Sequence, residues 1–68
     1  MKNNVFGVKL RELRIDKKLS QRALGEVFSV SNQTVSFWET GSREPDLDTI
    51  VGLAHYFGVT VDDLLEEK

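Results

Sequence analysis

A chain of 68 residues is one small domain. At that size only about 60% of the unfolded surface is buried, so the domain needs closely packed helices or a partner that adds to its core. It has no cysteine, which excludes disulfides and thiolate metal sites and fits a reducing cytosol. No apolar run approaches the roughly 20 residues needed to span a bilayer. The net charge of −2 is unevenly spread: residues 1–43 carry eight basic and four acidic side chains, leaving +4, whereas residues 44–68 carry seven acidic ones and a single lysine, leaving −6. The first part suits a polyanion, and the acidic end would face away from it.

Helix 1 is predicted from about Val5 to Lys17, capped by Asn3 or Asn4. Phe6, Leu10 and Leu13 lie at i, i+4 and i+7 and form its buried stripe. Two short amphipathic helices joined by a tight turn follow, over about residues 20–40. Leu24 and Phe28 share one face of the first, Val35 and Trp38 share one face of the second, and Val30 fills the angle between them. Ser20 and Ser31 are the cap candidates. Gly25 falls where these two helices must come close. Thr40 to Pro45 is loop by composition, and Gly41 suits a left-handed helix end. Asp46 caps helix 4, for which Leu47, Ile50, Val51, Leu53, Ala54 and Phe57 supply a wide apolar face. Gly58 stops that helix. Thr60 to Asp63 reads as the capping box of helix 5, which ends in Leu64 and Leu65. No strand pattern or internal repeat is present, so the fold class is all-α, a compact five-helix domain with a helix-turn-helix at helices 2 and 3.

The second helix of the motif directs Asn32, Gln33, Ser36 and Phe37 outward. Short amides and hydroxyls on an exposed helix face suit the reading of base edges in a major groove. Phe37 has three readings: it touches a thymine methyl, flattens against a sugar, or closes the rim of the core. Arg22, Ser42 and Arg43 are candidate clamps on phosphates, with a solvated surface as the alternative. Trp38 faces the core, and His55 has no partner at ligand spacing. Asp62, Asp63, Glu66 and Glu67 cluster around a helix N-terminus and a tail, where the macrodipole and solubility account for them. No catalytic constellation, phosphate-binding loop or metal-ligand pattern is found, so no enzyme activity, metal or cofactor is expected.

The motif resembles the helix-turn-helix of the Cro/C1-type, or lambda-repressor-like, DNA-binding family. The resemblance extends over nearly the whole chain: Leu10, Leu13 and Arg14, then Leu19 to Gln21, Val35 and Ser36, Glu39, Gly41, Pro45, Leu53 and Ala54, Gly58 and Val59, and Asp63 to Leu65. It implies base or phosphate contact by Asn32 and Gln33 at the start of the second motif helix, where Ser31 also meets a phosphate. It likewise implies a phosphate contact for Gln21 at the start of the first. Arg14 and Glu39 stand where the family often forms an intramolecular ion pair. Two positions depart from the pattern. Ser29 replaces the usual turn glycine, at a cost of roughly 1 kcal/mol, and Gly25 replaces the usual alanine, at a cost of about 1 kcal/mol in helix propensity.

The function so implied is sequence-specific binding of double-stranded DNA by a cytoplasmic transcriptional regulator, a repressor. One recognition helix reads too few base pairs to single out an operator, so a homodimer on a near-palindromic site is expected. Tyr56, Val59, Val61 and Leu65 are its candidate contacts, unless they complete the small core. The rival class is a protein-interaction module of the same fold, an antitoxin or anti-repressor target, holding a protein partner through helices 4 and 5.

Overall fold

The computed structural model describes residues 4–66, and among them five helices and no strand: α1 (Val5–Asp16), α2 (Gln21–Phe28), α3 (Asn32–Thr40), α4 (Leu47–Phe57) and α5 (Val61–Leu65). Most of the boundaries are set by side chains placed to accept a free first-turn amide. Ser20 Oγ accepts from Ala23 N–H at 2.9 Å, Ser31 Oγ from Thr34 N–H at 3.1 Å and Asp46 Oδ1 from Thr49 N–H at 2.9 Å. At α5 the box is reciprocal, with Thr60 Oγ1 accepting from Asp63 N–H at 3.0 Å and Asp63 Oδ2 accepting from Thr60 N–H at 3.2 Å. Gly41 and Gly58 end α3 and α4 in the left-handed conformation.

The helices close over one apolar cluster of Phe6, Leu10, Leu24, Val35, Trp38, Ile50, Leu53, Ala54 and Leu64. Helix α3 packs against both α2 and α1, while α5 joins α1 to α4. Leu13, Leu19, Phe28, Val30 and Phe57 pack around the edge of that cluster. Trp38 lies in the core, as its place in the motif implies.

The structure departs from the sequence reading at several points. Helix α1 ends at Asp16 rather than Lys17, because Lys18 turns left-handed with φ 58°. Asn3, one of its two cap candidates, lies outside the described residues. Asn4 stands at the cap position but does not cap. Its backbone is left-handed, with φ 51°, and its side chain instead donates from Nδ2 to the Glu39 carbonyl at 3.2 Å, satisfying the C-terminal turn of α3. On α4 the apolar face is narrower than expected, since Leu47 remains 68% and Val51 49% exposed.

Gly25 needs a different account from helix propensity. A Cβ there would stand 2.6 Å from the Val30 carbonyl oxygen and 3.2 Å from that of Ser31, so the backbones of α2 and the turn meet where only glycine fits. Gly7 does the same for the crossing of α1 over α3, where a Cβ would lie 2.5 Å from the Glu39 carbonyl oxygen and 2.6 Å from that of Trp38.

Candidate nucleic-acid interface

Helix α3 is held from behind and open in front. Val35, Trp38 and Glu39 are buried, while Asn32 and Gln33 on the first turn are exposed. Ser36 and Phe37, one turn further on, are half-buried. The opposition follows from helical spacing: residues 35 and 38 are three apart and face the core, which turns residues 33 and 37, four apart, to another side.

Glu39 anchors the framework behind this face. Arg14 donates to it twice, from Nε to Oε2 at 2.6 Å and from Nη2 to Oε1 at 3.1 Å, and gives Nη1 to the Leu19 carbonyl at 2.7 Å. The side chains are 12% and 4% exposed for Arg14 and Glu39, so this is a desolvated fork linking α1 to α3. Gln21 joins it by donating Nε2 to Glu39 Oε1 at 3.1 Å. One amide hydrogen of Gln21 is therefore committed inside the protein.

Among the other candidate phosphate ligands, Arg22 is exposed and pairs loosely with Glu26, Nε to Oε2 at 3.9 Å. The Ser31 hydroxyl is engaged in its cap, where it also pairs with Thr34 Oγ1 at 3.0 Å. Ser42 pairs through its hydroxyl with Thr40 at 3.0 Å. Arg43 folds back over α3, its guanidinium 5.5 Å above the Phe37 ring and its N–H donating to the Phe37 carbonyl at 3.3 Å. Beyond the loop, the Asp46 carboxyl is held below its ordinary value of 3.8 by hydrogen bonds from Thr49, side chain first and backbone second.

The residues considered for a dimer contact divide. Tyr56 meets Phe28 and Phe57 edge to face, with centroids 5.9 and 5.0 Å apart, and Lys17 Nζ lies 5.3 Å from its ring centroid. Val59 and Val61 also pack on the core, and Leu65 is 38% exposed. The sequence reading missed the bridge from Asn4 to Glu39 and the stack of Arg43 on Phe37. The first had no local signal, since the partners are far apart in sequence. The second was implicit in a cation six positions after an aromatic across a glycine turn.

A helix-turn-helix whose second helix is buried on one side and polar on the other, joined to α2 by a tight turn and braced by α1, defines the class. The sequence model of the helix-turn-helix family matches residues 10–64, and the chain belongs to that family, in its Cro/C1-type branch. It is 38% identical over 60 residues to the HTH-type transcriptional activator BcrR of Enterococcus faecalis, covering 88% of this chain and 29% of that protein. It is 30% identical over 64 residues to the cryptic phage CTXphi transcriptional repressor RstR of Vibrio cholerae, covering 94% of this chain and 58% of that one. The chain thus spans less than a third of the first relative's length and little more than half of the second's. Among solved structures, the P22 c2 repressor in complex with synthetic operator 9T superposes with a TM-score of 0.84 at 32% identity, covering 93% of this chain and 96% of that one.

Proposed function

We propose that this chain is a sequence-specific, double-stranded-DNA-binding transcriptional regulator that lays α3 in the major groove and represses by occupying its operator. The observation that carries the reading is the exposed pair Asn32 and Gln33 on the first turn of a helix whose opposite face is locked into the core. Amides in that position pair with the N6 and N7 edge of adenine. Gln21, Arg22, Ser31, Ser42 and Arg43 flank the helix as phosphate contacts that fix its register. The likeness to a repressor in complex with an operator supports the same docking. The chain works in the cytoplasm as a homodimer on a near-palindromic site.

Selection of bound sites from a random duplex pool, followed by titration at two salt concentrations, tests this. Affinity is expected to fall steeply with salt as counterions are released, and Gln33→Ala to relax the preference at one base position by about 1 to 3 kcal/mol. Salt-independent binding, or an unchanged site preference in Gln33→Ala, overturns the assignment.

A further inference from the structure

Phe37 is an aromatic residue on the reading face of α3, one turn after Gln33, and it is half-buried without belonging to the apolar cluster or its packed edge. The loop that follows packs against it. Its carbonyl accepts both the Arg43 N–H at 3.3 Å and the Thr40 hydroxyl at 3.3 Å, and the Arg43 guanidinium covers the ring at 5.5 Å from the centroid. The Thr40 and Ser42 hydroxyls pair at 3.0 Å and brace the loop between them. Ring and backbone each have a partner in the loop, which lowers the rotamer freedom the side chain would lose on meeting a ligand.

An aromatic ring in a major groove recognises an apolar feature, and the thymine C5-methyl is the one that groove offers. A cation over one ring face leaves the edge and the other face to it. We infer that Phe37 and Arg43 act as one unit, the ring selecting a thymine methyl and the stacked guanidinium setting the ring's position. This rests on the DNA-binding reading above and goes beyond it, because it makes Arg43 a positioning residue for base choice as well as a charge near phosphate. A phosphate contact made through charge alone keeps its salt slope, and leaves base choice unchanged, when lysine replaces arginine. With a stacked planar partner that replacement changes base choice.

The experiment uses duplexes selected by the intact chain, with each thymidine replaced in turn by deoxyuridine, which lacks only the methyl. Wild-type protein is expected to bind about fourfold more weakly when one particular thymidine in a half-site is replaced, the equivalent of one buried methyl group. Phe37→Ala is expected to bind both duplexes equally while keeping its melting temperature, since the ring is outside the core. Arg43→Lys is expected to keep the salt slope and lose most of the thymine preference. Wild-type binding that is indifferent to every replacement, or a preference that survives in Phe37→Ala, overturns the assignment of the ring. Full discrimination in Arg43→Lys overturns the role of the stack. Failure to bind any selected duplex brings down the DNA-binding reading, and this inference with it.

Discussion

Ser29 sits in the turn of the motif with φ 59°, a conformation that costs a side chain roughly 1 kcal/mol relative to glycine. Ser29→Gly should therefore raise stability by about 1 kcal/mol, or about 4 to 8 °C in a domain of this size, in a thermal melt followed by circular dichroism. Gly25→Ala should do the reverse of what helix propensity promises. The new methyl meets the Val30 carbonyl at 2.6 Å, a backbone contact that only movement of the turn relieves, and overpacking of this kind costs typically 1 to 3 kcal/mol. A stabilised Gly25→Ala would show that the crossing is looser than these distances require. Arg14 and Glu39 test the framework instead of the turn. Alanine at either position strands its partner in a site where the carboxylate is 4% exposed, and should cost about 3 kcal/mol. Unchanged melting temperatures in both single variants would show that the fork does no structural work. The positions of this pair were legible through the motif pattern, and so was the left-handed turn. The third donor to Glu39, Gln21, and the reach of Asn4 to the Glu39 carbonyl were not, since a side chain's choice between solvent and a distant acceptor leaves no trace in local periodicity.

The caps of α2 to α5 show what makes element boundaries readable. Each is a short oxygen-bearing side chain three residues before a free amide, a signal contained within one turn of sequence. Helix α1 lacks such a cap and begins at a left-handed Asn4, whose side chain serves another helix. The wide apolar face expected of α4 shows the limit of periodicity. It identifies Ile50, Leu53 and Ala54 with the core, but the outermost positions, Leu47 and Val51, find nothing to cover them. The cap of α4 also carries a pH dependence. The Asp46 carboxyl has its folded-state value lowered below 3.8, so its stabilisation is fully present above that ordinary value and is lost as pH falls through the lower, folded-state one. Asp46→Ala should therefore melt below wild type near neutral pH, with the gap narrowing in acid below about pH 4. A gap that stays constant down to pH 2 would assign the effect to something other than the ionised cap.

At the scale of the whole molecule, the question is how so small a body singles out an operator. If Asn32, Gln33, Ser36 and Phe37 read bases as proposed, one α3 covers only a few base pairs, and the proposed second copy supplies the selectivity that a genome demands. The domain measures 27 × 24 × 21 Å across its Cα atoms. Recognition helices set in successive major grooves on one face of the duplex are about 34 to 36 Å apart. Two such bodies bound as proposed would lie near one another, with side chains extending into the gap. The surface each offers is small, because Tyr56, Val59 and Val61 are partly buried against their own core, whereas Leu65 at the end of α5 is 38% exposed. In the proposed dimer a contact of that size would add little in free solution and become effective only where DNA supplies the proximity. Half-sites should accordingly be centred one helical turn apart, and inserting about five base pairs, half a turn, should abolish cooperative binding by placing the copies on opposite faces. Leu65→Glu should reduce the same cooperativity while leaving the melting temperature nearly unchanged, since the side chain it replaces is already at the surface. Both are read by titrating two-half-site duplexes against single half-sites and by sedimentation of the saturated complex. One protein per operator at saturation, or undiminished affinity for the five-base-pair insertion, would mean that each copy reads DNA alone.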